Sequence, residues 1–458
     1  METISRENLP KSMRYSLMSV PAVEAETTLS RFDSNNSSGS FTHSGANEIR
    51  IKIKANGFLD VSKHYLYFSI TTDTADAHLD GNAGSLFDRM TIECAGSQVE
   101  QINSYALYNG VRSSYNAPLH EIYRKNAEAG GGRLAIQNEA ADANADTGKI
   151  VGVALSSLGE AITSGHTKNY CIQLQSGLLL NHHNKALPDG IMELELVLRL
   201  NAPKSAFVEA SGTNAGYTIN NPRLYAPTYK LLNGDVMSAY AQLVAQQGVM
   251  WCGDTAKTYI NSISASSGTK VAQINDRSVS CKSLVAVLRD GNADSTQQIY
   301  SNSQFILHED GGARVSEYVY KIAGQNYPQS QVVVDTQANG RDIGRAYEEA
   351  IKALAKHGEK VCDSIVSREQ FSAVSDVYTS ATDTGGVNTA KGLMCVDLKK
   401  FDDDMLRNVG LNTASNASPS TLEFTLTGTP TGALNLTCFA ICEATFIMDA
   451  TGRLQVSV

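Results

Sequence analysis

The fold is indicated most directly by the stretch Ile191-Met192-Glu193-Leu194-Glu195-Leu196-Val197-Leu198-Arg199-Leu200. Every second side chain from position 192 onward is apolar, and three of the positions between them carry a charge. Because successive side chains of a strand point to opposite faces of a sheet, this alternation predicts a strand with one buried and one solvated face. The predicted inward set is Leu194, Leu196 and Leu198, and the predicted outward set is Glu193, Glu195 and Arg199.

The same alternation recurs in both halves of the chain. Isoleucines and charges alternate from Glu48 to Lys54, and an alternating stretch runs from Leu454 to Val458. Helical periodicity is rarer, and it predicts one helix from Asp235 to Gln247 and another from an Asp342 N-cap to a stop at Gly358. Many short strands and long loops, without regular alternation of strands and helices, predict an all-β fold of two tandem jelly rolls with a few short helices in loops.

The length of 458 residues fits two large β domains better than three average ones. Residues 1–46 end in a polar, flexible composition and are predicted to form a flexible N-terminal arm. The first jelly roll is predicted to span residues 47–222, a linker with a helix residues 223–248, and the second jelly roll residues 249–458. An Ala-, Gly-, Asn- and Asp-rich stretch over 121–165 is predicted to be a long excursion between strands.

The composition argues against several classes of function. A net charge of -9 and a pI near 5.5 disfavour a surface that neutralises phosphates, so we expect no direct sequence-specific nucleic-acid binding. The eight cysteines lack zinc-knuckle or redox spacing and are expected to be buried thiols in a reducing compartment. The sequence shows no signal-peptide pattern and no apolar run of about eighteen residues, so we expect a soluble protein made in the cytosol.

Four stretches contain residue types that could do chemistry, but their spacing is weak. Gly130-Gly131-Gly132 lacks the Lys-Ser or Lys-Thr of a phosphate loop and is expected to be a flexible loop. His182-His183 lacks a third ligand at helical or strand spacing. Asp402-Asp403-Asp404 could bind calcium, although it lacks the ligand ladder of an EF-hand. His308-Glu309-Asp310-Gly311-Gly312 is typical of a turn, and carboxylate catalysis there is left open.

Other signatures of enzymes and glycan-binding proteins are missing from the sequence. It has no His-x-His of a cupin and no Gly-x-Ser-x-Gly elbow of a hydrolase. Its single tryptophan, Trp251, argues against a carbohydrate platform built on indoles. We therefore predict no catalytic residues, no cofactor-binding residues, no metal-binding residues and no cofactor.

Short motifs follow one another in a fixed order along the chain. The main ones are Gln175-Ser176-Gly177-Leu178-Leu179, Ala186-Leu187-Pro188, the alternating stretch from Met192 to Leu200, and Asn221-Pro222-Arg223-Leu224. Others are Phe58-Leu59-Asp60, Asp88-Arg89-Met90-Thr91-Ile92, Ser283-Leu284, and Tyr320-Lys321-Ile322-Ala323-Gly324 followed by Tyr327-Pro328. In this order they resemble double jelly-roll major capsid proteins of icosahedral double-stranded DNA viruses, above all those of polinton-like viruses and virophages.

This resemblance implies two eight-stranded barrels standing side by side in a chain that forms homotrimeric, pseudo-hexagonal capsomers of a viral shell. It implies a location in the virion capsid after synthesis in the host cytoplasm, and no enzymatic activity. The implied partners are the chain itself, neighbouring capsomers, and penton and minor capsid proteins, with an inner membrane as a further candidate. The outward charges of residues 191–200 then become candidates for contacts with a neighbouring barrel or chain. A jelly-roll spike or glycan- or receptor-binding protein is the alternative, and an enzyme is the third hypothesis.

Overall fold

The computed structural model describes most of the chain. The described residues are 24–35, 39–54, 56–72, 77–116, 127–131, 134–138, 150–155, 158–180, 186–209, 216–290, 302–303, 305, 307, 313–334, 343–356, 359–364, 366, 368–371, 391–401, 408–416, 418–430 and 432–458.

The first half of the chain folds into a jelly roll of antiparallel strands, which we call the first roll. Its strands are β1 Ala25–Asp33, β2 Ser40–Thr42, β3 Glu48–Ile53, β4 Phe58–Leu59, β5 Tyr65–Thr72, β6 Ala77–Asp80, β7 Phe87–Cys94, β8 Ser97–Asn103, β9 Leu134–Asn138, β10 Ile150–Leu155, β11 Leu158–Ile162, β12 Thr167–Ile172, β13 Leu194–Leu200, β14 Phe207–Glu209 and β15 Tyr217–Leu231. Its helical segments are α1 Tyr105–Tyr115, α2 Pro203–Ala206 and the 3-10 turns Val61–Lys63 and Ala83–Leu86.

Two main sheets form the first roll. One has the strand order β1-β15-β5-β12, and β2 and β4 also pair with β15. The other has the order β3-β13-β7-β8. A small sheet, β11-β6-β14, and the pair β10-β9 complete the described part of this roll. Most neighbours within the main sheets are distant in sequence, as the Greek-key connections of a jelly roll require.

The second half of the chain forms the second roll. Its strands are β16 Val249–Ile263, β17 Gly268–Ile274, β18 Cys281–Asp290, β19 Arg314–Ile322, β20 Gln325–Val333, β21 Met394–Asp397, β22 Ser420–Thr427, β23 Leu434–Met448 and β24 Leu454–Ser457. Its two main sheets have the orders β16-β23-β18-β21, with β24 added at β23, and β17-β22-β19-β20. The remaining helices are α3 Gly234–Gln247 between the rolls, and α4 Gly344–Leu354 and α5 Arg368–Phe371 in the second roll.

The alternation of residues 191–200 places the core as predicted. In β13, Leu194, Leu196 and Leu198 are completely buried. Each is flanked on both sides by apolar partners, Leu196 for example by Ile51 of β3 and Ile92 of β7. Cross-strand apolar contacts of this kind stabilise a sheet over a core. Most of the buried apolar side chains of both rolls belong to one connected cluster, and the predicted all-β fold of two tandem jelly rolls is confirmed.

The chain from 217 to 231 is a long central strand, whereas the sequence assigned residue 223 onward to a linker. Pro222 lies inside β15, where a proline would normally remove a ladder hydrogen bond. The register against β5 shifts between Asn220 and Arg223, and Asn221 has a φ of +50°. This β-bulge takes the proline out of regular pairing, so the strand continues to Leu231. The connection between the rolls is therefore short and contains α3.

Residues 25–33 also differ from the flexible arm expected over residues 1–46. They form β1, which pairs with β15 over nine positions, from Ala25 opposite Leu231 to Asp33 opposite Arg223. Most β1 side chains are exposed, so their polar composition does not prevent pairing of the backbone. Backbone pairing to a neighbouring strand, which composition does not reveal, decides the structure here.

The two helices predicted from periodicity are present, but the second is shorter than predicted: it has Ile343 rather than Asp342 at the N-cap position and ends at Leu354, before Gly358. α4 begins at Gly344, after Ile343 at the N-cap position, and it buries Ala346, Ala350, Ile351 and Leu354. α3 begins after Asn233, whose side-chain oxygen accepts from Asp235 N at 3.0 Å, as expected for an N-cap. In the described part of the chain, no helix combines the length and the apolar character needed to cross a membrane.

Candidate functional site: the seam between the two rolls

The two rolls meet along a contact zone that we call the seam. On the first roll it consists of β8, α1, the end of β6 and the loop over residues 173–180, and on the second of β16, β23 and the backbone near Asn302 and Lys391. The Tyr108 ring of α1 packs against Phe439 of β23 with a centroid distance of 5.5 Å. Apolar packing and hydrogen bonds between distant segments therefore hold the two rolls together.

Glu100 of β8 is a buried carboxylate in the seam, with 4% of its surface exposed. It accepts hydrogen bonds from Ser176 Oγ at 2.5 Å, Gly177 N at 2.8 Å and Leu178 N at 3.3 Å. From the second roll, Thr255 Oγ1 donates to it at 2.8 Å. A carboxylate that is buried away from water needs such donors, because burying an unpaired charge is unfavourable in free energy. One side chain thus joins β8, the loop over 173–180 and β16.

The loop over 173–180 is also fixed from inside the first roll by His64. Leu174 N donates to His64 Nε2 at 2.9 Å, and His64 Nδ1 lies 2.5 Å from Val61 O. This pattern fits a neutral ring that donates through Nδ1 and accepts through Nε2. Burial lowers the pKa of His64 to about 4. Protonation would put a proton where Leu174 donates, so the contact requires the neutral ring.

The backbones of the two rolls approach each other closely at Gly177 and Gly253. A Cβ at Gly177 would lie 2.9 Å from the carbonyl carbon of Asp254, and a Cβ at Gly253 would collide with the carbonyl oxygen of Gly177. Each position therefore excludes any side chain unless the backbone moves. Gly177 belongs to one of the motifs on which the family resemblance rests. Its close contact with Asp254 explains why this position requires a glycine.

A second buried carboxylate, Asp80 at the end of β6, contacts the second roll. Asn302 N donates to Asp80 Oδ2 at 2.7 Å, and Ser303 Oγ donates to Asp80 Oδ1. Burial lowers the pKa of both Arg289 and Lys391, and the charge of Asp80 acts against this by raising each pKa. An acid of the first roll is thus surrounded by donors and cations of the second.

Lys391 is enclosed within this cluster and is only 1% exposed. Its Nζ donates to the carbonyl oxygen of Ser303 and lies 5.2 Å from the centroid of the Phe305 ring. Tyr115 OH of α1 donates to the backbone carbonyl of Lys391. Burial lowers the pKa of Lys391 to about 7. An amine with such a pKa can be a nucleophile in an open cleft, but Lys391 is buried, and its contacts support a structural role.

The two carboxylates predicted to point outward, Glu193 just before β13 and Glu195 within it, are paired with cations of the neighbouring strand β3. Lys52 Nζ of β3 lies 2.9 Å from Glu193 Oε1, and Arg50 Nη1 of β3 lies 3.7 Å from Glu195 Oε2. Arg199 is exposed, as predicted. Ion pairs of this kind on a solvated face contribute little to stability. The carboxylates that the sequence offered for contacts with a neighbouring barrel or chain therefore already have partners in the first roll.

The stretches weighed for chemistry divide into two groups. Residues 182–183, 402–404 and 308–312 lie outside the described residues. Gly130 is described and has a φ of +60°, and a Cβ there would lie 2.5 Å from Tyr170 Cε1 and 3.0 Å from Leu79 Cδ1. This glycine therefore allows the backbone to pack against core side chains of the first roll, which is a structural role.

α3 is an exposed helix with a single charged residue, Asp235, and none of its residues is buried. It contacts the first roll through Tyr240, whose ring centroid lies 5.0 Å from that of Phe58. Val236 and Leu243 lie on the same stripe of the helix as Tyr240, four residues before it and three after it, and they remain 41% and 50% exposed. Surface helices normally carry charge on their solvated face. An uncharged face with exposed aliphatic side chains is typical of a surface that another protein covers.

Comparison with known proteins identifies the architecture. None of the sequence family models matches the chain, and no curated protein matches it. Solved structures do match. The chain is similar to a protein of the PBCV-1 virus capsid, with a TM-score of 0.61, 11% identity, and coverage of 97% of this chain and 99% of the other. The chain has the double jelly-roll fold of viral major capsid proteins.

Two further structures with this double jelly-roll fold extend the comparison. A chain of the Sputnik virophage structure matches with a TM-score of 0.57, 12% identity, and coverage of 100% of this chain and 93% of the other. The mavirus major capsid protein matches with a TM-score of 0.53, 10% identity, and coverage of 100% and 95%. The double jelly rolls that it resembles are capsid proteins rather than enzymes. The match spans both rolls and the connection between them, so the two rolls are arranged as in those proteins.

Proposed function

We propose that this chain is a major capsid protein whose homotrimeric, pseudo-hexagonal capsomers assemble into an icosahedral viral shell. The observation that carries the proposal is the end-to-end structural match to a PBCV-1 capsid protein, which covers 97% of this chain and 99% of the other. A match over the whole of both chains favours a shared role more than a match of one roll would, because jelly rolls occur singly in proteins of many functions.

The seam supports this role because it makes one rigid unit from two rolls. Three such units around a threefold axis would present six rolls, which gives a hexagonal outline from three identical chains. Each contact around a threefold axis joins two different surfaces of the protomer, and the ring closes after three steps. Closure needs a fixed angle between the rolls, and the buried contacts of Glu100 and Asp80 across the seam support such an angle.

Two exposed features of the first roll are suited to contacts with neighbouring copies. α3 presents the uncharged face with Val236 and Leu243. β1 pairs with β15, and along it Leu29 is 56% exposed. Strands with exposed apolar side chains at a sheet edge commonly pair with or pack on another chain. We assign both features to contacts within or between capsomers.

The wider partners follow from the same proposal. Penton and minor capsid proteins, and an inner membrane where the virion has one, would contact the inner or peripheral surfaces of the capsomer. Residues 1–23 precede β1 and lead to Glu24, whose carbonyl accepts from Leu232 N at 3.0 Å just before α3. We assign residues 1–23 to contacts with these partners. We place the chain in the virion capsid after synthesis in the host cytoplasm, and its net charge of -9 argues against direct sequence-specific contact with the genome.

A spike or glycan-binding function is not favoured. Trp251 is buried, and its ring stacks on Phe446 with a centroid distance of 5.9 Å. It is therefore not available as a platform for sugars.

The oligomeric state tests the proposal directly. Size-exclusion chromatography with light scattering is expected to give three times the chain mass of 49.1 kDa at micromolar concentration. Negative-stain microscopy is expected to show hexagon-outlined particles with threefold symmetry. A stable monomer that forms no lattices at any concentration would contradict the capsomer proposal.

The exposed face of α3 offers a sharper test with a matched control. Leu243→Asp puts a charge on the proposed contact face, whereas Gln242→Asp puts one on the adjacent exposed residue of the same helix. We expect Leu243→Asp to weaken the trimer or the lattice far more than Gln242→Asp, with no change in the circular dichroism of either. Equal behaviour of the two variants would remove α3 from the contact surface.

Residues 1–23 can be tested by deletion, because β1 begins only at Ala25. The truncated chain is expected to form trimers but to assemble shells poorly. Loss of the trimer would instead show that these residues belong to the capsomer.

A further inference from the structure

A cluster of three buried side chains in the second roll combines two thiols with a carboxylate. Asp276, Cys281 and Cys442 are all buried, and their potential ligand atoms lie within 4.8 Å of one another. Cys442 Sγ lies 3.9 Å from Asp276 Oδ1. The three residues come from the segment after β17, from the start of β18 and from β23, so they converge only in the folded protein.

The strand pairing directs the two thiols toward each other. Cys281 and Cys442 are opposite residues of the antiparallel strands β18 and β23. The Cys281 N–H and C=O both bond to Leu411, each at 2.8 Å, on the side away from β23. The pair Cys281 and Cys442 is therefore a non-hydrogen-bonded pair, the type in which opposite side chains lie closest. The backbone holds both sulfur atoms on one side of the sheet.

The carboxylate is held by a shell of hydroxyl groups. Thr413 Oγ1 donates to Asp276 Oδ2 at 2.7 Å, and Tyr259 OH donates to Asp276 Oδ1 at 3.3 Å. Ser278 Oγ donates to Asp276 Oδ1 at 2.6 Å and lies 2.9 Å from Cys442 Sγ. Ligands of structural metals are commonly oriented by such outer hydrogen bonds. The shell fixes one carboxylate oxygen beside the two sulfur atoms.

We propose that Asp276, Cys281 and Cys442 bind a Zn²⁺ ion, with the Ser278 hydroxyl at the fourth position. Two sulfur ligands of a tetrahedral zinc lie about 3.8 Å apart, given a Zn–S distance of about 2.3 Å. The present separations of up to 4.8 Å therefore need only small side-chain shifts to meet zinc geometry. Soft thiolate ligands select zinc over calcium or magnesium.

The charges of the site balance with and without the ion. Lys257 Nζ lies 3.9 Å from Asp276 Oδ1, so with both thiols protonated the carboxylate and the ammonium cancel. When Zn²⁺ binds, the two thiols lose their protons, and the charges of two thiolates, one carboxylate, one ammonium and the ion again sum to zero. Binding exchanges one Zn²⁺ for two protons and needs no oxidant. A buried site that stays neutral in both states avoids the cost of an uncompensated buried charge.

Cobalt provides a spectroscopic test on the full chain. The purified protein, refolded with Co²⁺ after removal of metal, is expected to bind one ion per chain and to show the thiolate-to-cobalt and tetrahedral absorption bands. Cys281→Ser and Cys442→Ser are expected to lose the thiolate bands. Cys438→Ser is the matched control, because Cys438 is fully buried on the same strand as Cys442 and should keep them.

Several outcomes would overturn the proposal. The proposal is wrong if the wild-type protein holds no stoichiometric metal and gives no cobalt bands. It is also wrong if the cobalt bands survive Cys281→Ser. A mass lower by two hydrogens, found after alkylation in denaturant, would show a disulfide between the two thiols instead. If the serine variants fail to fold, as judged by circular dichroism, the metal content and cobalt spectrum of the wild-type chain decide the question. The outcome does not depend on the capsomer proposal, because a monomer could bind the ion equally well.

Discussion

Charged and apolar groups are placed in opposite ways at the seam and on the exposed surface of α3. The seam buries two carboxylates, Glu100 and Asp80, and surrounds each with donors. α3 has one charged residue and leaves Val236 and Leu243 in solvent. In most soluble proteins charges lie outside and aliphatic groups inside. The seam satisfies its charges within one chain, whereas α3 leaves apolar area exposed on the protomer, which we propose another copy of the chain covers.

Under the capsomer proposal, this difference separates two kinds of contact that the chain needs. Contacts within the protomer must be permanent, because the angle between the rolls sets the shape of the capsomer. Contacts between protomers form after folding, so their surface must first be soluble. α3 meets this condition with one Ser and three Gln residues around its exposed aliphatic groups. The seam should therefore dominate the stability of the protomer, and the outer surfaces should dominate its association.

The largest effect is expected from Asp80→Asn, which removes the negative charge from the second-roll cluster. Arg289 and Lys391 would lose the carboxylate that favours their charged forms. Breaking a buried charge cluster by removing one partner costs about 4 kcal/mol. Urea unfolding at a fixed protein concentration should show the loss as a lower midpoint. If the midpoint stays within error of the wild type, the seam does not control the stability of the protomer.

Gly253→Ala tests whether the seam depends on close backbone approach. The added methyl group would collide with the carbonyl oxygen of Gly177. Forcing an extra carbon into a packed contact costs about 3 kcal/mol, because the two rolls must move apart. Thermal unfolding measures the cost. Gly344→Ala, where a Cβ meets nothing within 4 Å at the start of α4, is the control and should be neutral or slightly stabilising.

Much of the fold could be predicted from the sequence, and the failures have physical causes. The core positions of β13 follow from alternation alone, because the side-chain period of a strand is local information. The long strand β15 was not predicted, because Pro222 argues against a strand. The bulge that accommodates the proline depends on pairing with β5, which the local sequence does not show. β1 was not predicted, because its side chains are polar and exposed. It forms through backbone pairing with β15, which composition does not reveal.

The residues of the seam could not be predicted in the same way. Glu100 and Asp80 lie among alternating strand residues, where a charge normally indicates the solvated face. Their burial depends on contacts with the second roll, through Thr255 for Glu100 and Asn302 for Asp80, which are 155 and 222 residues away in sequence. The motif containing Gly177 was a partial signal, because a glycine between polar and apolar residues can mark a close approach. The partner of that glycine, Gly253, becomes apparent only from the structure.

His64 predicts a dependence of stability on pH within the first roll. The folded pKa of about 4 lies below the unfolded value of 6.5, so this contribution is fully present above pH 6.5 and is lost as the pH falls toward 4. Between pH 7 and pH 5 the loss amounts to about 2 kcal/mol. Urea unfolding at the two pH values measures it. His64→Gln, which keeps a donor and an acceptor, should lose less stability than the wild type over this range, and an equal loss in both proteins would exclude His64 as the cause.

The smallest effect is expected from Glu195→Gln on the outer face of β13. Glu195 is partly exposed and pairs with Arg50 at 3.7 Å, and such pairs contribute about 0.5 kcal/mol because water screens them. Like Asp80→Asn, the change replaces a carboxylate by its amide, so the two variants differ mainly in burial. Comparing the two variants by urea unfolding shows how much more free energy of unfolding a buried carboxylate of the seam contributes than a partly exposed one. A cost for Glu195→Gln as large as that for Asp80→Asn would mean that the outer face of β13 is covered in the assembled protein, and the outward charges would again be candidates for contacts between protomers.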